Sequence, residues 1–338
     1  MKTFSERASS RVMDLWRTTP RSLTAHDLWF VLFLAFSLLF FGKHLDALVR
    51  LSLGDDRYSH VLLIPLISAS LLYLQRRSVF NRPSYCPSKG IPLLAVGMLL
   101  FYLAQERLPA LSANDRLSVV VLAIVLLWMA GFILCYGSQP FRIALFPWLF
   151  LLLMIPIPTV ALDSIVLALQ KGSAAMTYAL FKLLGVPVLW QHFKFLLPGV
   201  EIEIAEECSG IRSSLSLFIT SILAGYVFLQ SDWRKIVFSL LTVPVVIFKN
   251  ALRIVTISCL GVYVDPGFLH GRLHRYGGLP FSLISLGILV PFLLALQKSE
   301  HFLGESAKAT AVAIRDSKST SHILKSVLDQ AGPYSHRG

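Results

Sequence analysis

The chain's strongest constraint is a series of eight long apolar runs. They lie at approximately Leu28–Leu48, Tyr58–Leu74, Ile91–Ala104, Leu117–Tyr136, Ile143–Ile157, Ile211–Leu229, Ile236–Val262 and Gly278–Leu296. Each is long enough, or nearly so, to cross a bilayer as a helix, which takes ~20 residues. In hydrocarbon every backbone N–H and C=O must be paired internally, and a helix achieves this within one segment. Hydrophobic residues make up 55% of the chain and charged residues 15%, against about 45–50% and about 25% in soluble domains. That excludes a soluble globular protein. It also excludes disorder, which needs low hydrophobicity. The expected fold is an all-α integral membrane protein of eight transmembrane helices.

A net charge of +12 could indicate nucleic acid, but the basic residues sit mostly in short loops between apolar runs, where they set topology. Lys2, Arg7, Arg11, Arg17 and Arg21 precede the first run; Arg76, Arg77, Arg82 and Lys89 precede Ile91; Arg234 and Lys235 precede Ile236. These are alternate loops, so both termini are expected in the cytoplasm. Arg272 and Arg275, before the eighth run, are the exception. No cleavable leader is evident, and the run from Leu28 reads as a retained span.

Three segments depart from the simple pattern. Val160–Leu184 is apolar but carries Asp163, Lys171 and Lys182 at helical spacing, which suits an interfacial helix. The alternative is a ninth span. Phe193–Leu197 and Val200–Ile204 alternate around Pro198-Gly199 and read as a short extracytoplasmic β-hairpin. From Lys298 onward the chain is polar, with six basic and four acidic residues. The expected organisation is thus a basic cytoplasmic N-terminus (1–26), a membrane domain (27–298) and a polar cytoplasmic tail (299–338).

Three polar features occupy costly positions. The first is Glu207-Cys208-Ser209-Gly210-Ile211-Arg212-Ser213, where the hairpin gives way to a membrane helix. A thiol at a helix N-terminus has a lowered pKa; a buried, inert cysteine is the plainer alternative. The second is Lys249-Asn250-Ala251-Leu252-Arg253, inside the seventh run. A charge within a span costs about 2.5–3.5 kcal/mol on insertion scales. Asn250 and Arg253 share a helix face. Arg253, 17 residues past Ile236, stands about 26 Å along the helix, near the outer surface; a snorkelling anchor is the alternative. The third is His270-Gly271-Arg272-Leu273-His274, ahead of the eighth run. It reads either as a loop facing headgroups or as a site. Loop counting puts Cys208, Arg253 and His274 all at the outer face. A nucleophile, a fixed cation and an acid/base suffice for acyl transfer.

At these residues the chain resembles the exosortase/archaeosortase family of multi-pass membrane cysteine transpeptidases. The resemblance covers roughly residues 25–298. It is carried by Glu207 to Ser213, by Asn250 to Arg253 as an N-x-x-R motif, by His274 to Gly278 as H-x-x-x-G, and by Arg57 to Leu66, which includes His60. It implies Cys208 as nucleophile, Arg253 as transition-state cation and His274 as acid/base. Asn250, Glu207, Ser209, Arg212 and His60 are supporting or substrate-contacting candidates. It implies exported protein substrates with a C-terminal sorting signal: a short Pro-Glu-Pro-like motif, a transmembrane helix and a basic tail. The signal would be cut through a thioester and the protein passed to an acceptor, often in exopolysaccharide-producing cells. The enzyme would sit in the inner membrane with its site facing outward. The Leu279-Pro280 continuation departs from the family's usual aromatic one.

No metal or cofactor is expected. The chain's four cysteines, Cys86, Cys135, Cys208 and Cys259, show no CxxC spacing, and a Cys208–Cys259 pair would block the nucleophile. Two rival readings remain. One is a transporter or polysaccharide-export component that binds an anion through Lys249 and Arg253. The other is a metal-dependent hydrolase using His270 and His274.

Overall fold

The computed structural model describes residues 24–80, 83–106, 111–204, 210–269 and 280–300. The chain divides into two compact units, Met1–Leu169 and Gln170–Gly338.

The first unit contains α1 (Ala25–Phe40), α2 (Gly42–Gly54), α3 (Leu63–Leu74), the single turn α4 (Arg76–Val79), α5 (Pro87–Glu106), α6 (Ala113–Tyr136), α7 (Ser138–Ile143), α8 (Leu145–Leu151) and the start of α9 (Thr159–Leu183). Helix α6 is its axis. Its mean hydropathy of 2.8 is accompanied by 67% burial, against 17% for α5. A helix apolar all round has no face that prefers water, so neighbours or lipid must cover it. Helix α5 approaches it closely because Gly97 faces Leu127: a Cβ there would stand 2.9 Å from the leucine Cγ. Small residues at such contacts let backbones come together in lipid. Polar ties fix both ends of α6. Ser112 caps its start by accepting from the Asp115 amide at 3.1 Å. The Asp115 carboxylate in turn accepts from the Thr159 amide at 2.6 Å, at the start of α9. At the far end the Tyr136 hydroxyl donates to Asp27 at 2.8 Å.

Two expected spans are altered. The run Leu28–Leu48 is not straight: α1 and α2 meet at a 72° bend, where Phe41 leaves helical geometry ahead of Gly42. The run Ile143–Ile157 keeps only α8 and a 3₁₀ turn, Leu152–Met154. Pro156 and Pro158 follow, and proline disfavours helix in the residue before it. The chain then turns 88° into α9. Among the described residues, six helices are long and apolar enough to cross a membrane, and up to eight if each bent pair is one span. The chain is therefore an all-α, multi-pass membrane protein, as its composition requires.

The second unit holds the rest of α9, a three-stranded antiparallel sheet and helices α10 (Ile211–Phe228), α11 (Asp232–Tyr263) and α12 (Pro280–Glu300). The strands β1 (Leu189–Gln191), β2 (Lys194–Leu197) and β3 (Val200–Glu203) pair in sequence order. The hairpin expected around Pro198-Gly199 is β2–β3, with Leu197 opposite Val200; β1 adds an edge strand. Alternation sends Phe195 and Leu197 into a core with Ala174, Phe181, Ile204 and Val255. Lys194 stays outside and donates to Glu201 at 2.8 Å. That bond, and the field of Glu203 beside it, raise the lysine's pKa above its ordinary value. Glu300, at the end of α12, accepts from the amides of Gln230 (3.0 Å) and Ser231 (2.8 Å) at the start of α11. A carboxylate there meets unpaired donors and the positive helix end.

Candidate active site

The described residues that flank Cys208 in the sequence, Ile204 and Gly210, are each tied into the second unit. Upstream, β3 delivers Ile204, which is buried and whose carbonyl accepts from Gln170 Nε2 on α9 at 3.2 Å. Downstream, Gly210 is the N-cap of α10 in a left-handed conformation, φ 75°. Glycine is required there twice over. An L-residue pays steric strain at such a φ, and a Cβ would lie 3.0 Å from Asn250 Oδ1.

Three donors converge on the Gly210 carbonyl: the Ser214 amide at 2.9 Å, the Ser214 hydroxyl at 2.7 Å and the Ser213 hydroxyl at 3.1 Å. Ser213 also receives a hydrogen bond from Lys249 Nζ on α11. Beside it, Asn250 donates from Nδ2 to Ser173 Oγ on α9 at 3.0 Å. Lys249 is 2% exposed, Asn250 1% and Ser173 0%. Buried polar groups are tolerated when hydrogen-bonded to each other, and this set ties three helices together beside one turn.

Of the expected site residues, Asn250 is in the middle of this network. Arg253 is half-buried, three residues further along α11 and on the same face as Asn250. Arg212 is exposed in the first turn of α10. His60 belongs to the first unit, half-buried between the 3₁₀ turn Asp56–Tyr58 and α3. That turn is braced by Arg57, whose guanidinium bonds to Asp55 and holds its carboxyl below the usual range. Cys208, Glu207, Ser209, His270 and His274 lie outside the described residues. Cys86, Cys135 and Cys259 are free thiols. No three of His, Cys, Asp and Glu cluster closely enough to share a metal ion among the described residues.

A family model described as transmembrane exosortase matches residues 50–291. The chain belongs to the transmembrane exosortase family. The matched stretch leaves out all of α1, most of α2, the last turns of α12 and the tail. It contains His60, Cys208, Asn250, Arg253 and His274. No curated protein and no solved structure matches the chain.

Sequence reasoning missed three parts of the network. Lys249 stood out as a charge within a span, but only the transporter reading used it. Ser173 and Gln170 lie on an amphipathic helix whose polar residues read as a water-facing side. Neither Lys249 nor Ser173 reveals a partner by spacing, since 36 residues separate Lys249 from Ser213 and 77 separate Asn250 from Ser173.

Proposed function

We propose that this exosortase is a membrane-embedded cysteine transpeptidase with Cys208 as its nucleophile. The Cys208 thiolate adds to the scissile amide carbonyl, and Arg253 stabilises the oxyanion. The C–N bond breaks as His274 protonates the departing nitrogen. An acceptor amine or water then attacks the thioester, passing its proton to His274, and the thiolate leaves. The substrates are exported proteins ending in a short sorting motif, a transmembrane helix and a basic tail. A site inside the membrane protein suits a scissile bond that lies next to a lipid-embedded helix. The site faces the extracytoplasmic side of the inner membrane, and both termini are cytoplasmic.

The observation that carries this reading is the anchored Gly210 turn, two residues after Cys208 and at the N-terminus of α10. A thiol held near a helix N-terminus is favoured as thiolate. The test is Cys208→Ala in the native host, following the size of a protein with a C-terminal helix and basic tail. Accumulated precursor, restored to processing by the wild-type gene, is the expected result. Unchanged processing across several such proteins would remove Cys208 from the reaction and advance the anion transporter that a buried Lys249 also suits.

A further inference from the structure

We infer that the segment Leu183–Trp190, at the end of α9 and along β1, is a lipid-facing wedge that dips into the extracytoplasmic leaflet of the bilayer. It takes only the membrane topology from the proposed function, and nothing from the chemistry of Cys208.

The run Leu183-Leu184-Gly185-Val186-Pro187-Val188-Leu189-Trp190 contains no charged side chain. It is too short to span a bilayer, yet it is largely uncovered: Leu183 is 82% exposed, Leu184 60%, Leu189 55% and Trp190 40%. Val186 and Val188 turn inward and pack on the core of Phe181, Phe195 and Val255. The outward residues are therefore surplus to the fold, and contiguous apolar surface of this kind marks a contact. Trp190 makes the point most clearly. Its indole N–H already donates to the His192 carbonyl, so the part of the ring left exposed is apolar. The ring lies 5.1 Å from that of Tyr178 on α9, and Lys182 Nζ stands 5.4 Å from the Tyr178 ring centre. Trp and Tyr gather where hydrocarbon meets headgroups. A lysine beside them lays its stem on apolar surface and holds its ammonium among the phosphates.

The position of the sheet selects lipid as the occupant. Its core packs on Ile254, Val255, Cys259 and Val262 of α11. Val255 is 19 residues past Ile236, about 29 Å along the helix, and the hydrocarbon core is ~30 Å thick. These residues stand at the border of that core. Strand β1 stands at the same level, because Trp190 stacks on Phe195 of the cluster. Charge agrees with this placement. Lys182 flanks the wedge, whereas Glu201 and Glu203 are on β3, two strands from β1 and so about 10 Å away. Anionic lipid phosphates are attracted to the first edge and not to the second. The backbone limits the depth. Strand β1 pairs on one side only, with β2, and the N–H and C=O groups of its free edge cannot enter dry hydrocarbon unpaired. The side chains therefore reach about 5–10 Å into the headgroup–acyl boundary, while the strand edge stays within reach of water.

The test reads depth in the full-length protein, reconstituted without substrate into vesicles of phosphatidylethanolamine and phosphatidylglycerol. Cys86, Cys135, Cys208 and Cys259 are replaced by Ala, and a nitroxide is attached at Leu184→Cys, at Leu189→Cys or, as the control, at Glu201→Cys. Oxygen, which concentrates in lipid, and a water-soluble nickel chelate then relax the label. The Leu184→Cys and Leu189→Cys labels should respond mainly to oxygen, at a depth of about 5–10 Å below the phosphates. The Glu201→Cys label should respond mainly to nickel. Should one wedge variant fail to accumulate, the other carries the test. Nickel access at either wedge position equal to that at Glu201→Cys would overturn the inference and place the segment in water. Wedge labels shielded from both reagents would overturn it in favour of a protein contact, such as a second copy of the chain. Failure of the transpeptidase reading would leave these depths unchanged, and would appear separately as processing that persists in Cys208→Ala.

Discussion

The two units bury polar side chains very differently. Among the described residues, the fully buried polar side chains of the first unit are the serines Ser37, Ser52, Ser68 and Ser118. Three of these bond to backbone carbonyls or a helix neighbour in ways that cost little: Ser52 to Tyr58 O, Ser68 to Pro147 O and Ser118 to Asn114 O. The second unit buries Gln170, Asn250, Arg234 and Lys249 along with its hydroxyls. Helices α6 and α11 state the contrast most plainly. Both are long and apolar, yet α6 buries no charge and α11 buries two. Charges inside a membrane protein are costly, and among the described residues the buried ones fall in the second unit, the unit in which the proposed site residues Asn250 and Arg253 lie. Arg234 is accounted for by Glu300, 3.3 Å away at the cap of α11. Lys249 is directed at Ser213 in the first turn of α10.

This contrast can be broken at several points. The largest effect is expected at Arg253. Replacing it with Gln should reduce processing by roughly 10²–10³, the cost of one oxyanion-stabilising donor, with little change in protein level. An equal loss of protein would make Arg253 a structural anchor instead. Next comes Gly210→Ala. The left-handed φ costs about 1–2 kcal/mol for an L-residue, and the Cβ contact with Asn250 adds to it. Processing should fall more than thermal stability does, because the strain is local to the nucleophile turn. In the first unit the order should reverse. Gly97→Val forces the α5–α6 contact apart and should destabilise by about 1–3 kcal/mol, lowering the unfolding temperature while processing per folded molecule stays unchanged.

The smallest effect is expected in the sheet. Lys194 has its pKa raised by Glu201, so its ion pair is complete below the ordinary lysine range and is lost only as pH rises through the raised value. Stability from this pair should be flat from neutral pH up to the onset of lysine titration, and Lys194→Gln should process substrate at nearly the wild-type rate. Exposed pairs of this kind contribute little.

Much of this architecture is legible in the sequence because lipid leaves few choices. The seventh apolar run, Ile236–Val262, lies within α11, and Pro198-Gly199 turns the hairpin as its residue types dictate. What hydropathy hides is direction. The bend after Phe41 falls inside a run whose flanking Leu and Phe residues outweigh Gly42, Lys43 and His44. Pro156 and Pro158 do announce a break, but apolarity continues through Ile155 and Ile157 and masks it. The candidate site is legible in the sequence as residue types and not as contacts. Asn250 and Arg253 share a face by spacing alone. The bonds from Asn250 to Ser173 and from Lys249 to Ser213 join residues far apart in sequence, and only packing brings them together.

The central claim is that Cys208 carries the substrate as a thioester. The most direct measurement is mass spectrometry of the Cys208 peptide from membranes incubated with substrate and quenched in acid. The account predicts an acyl adduct on Cys208 that neutral hydroxylamine removes and that Cys208→Ala lacks. Efficient cleavage of the sorting signal by the Cys208→Ala protein, at the wild-type rate, would contradict it.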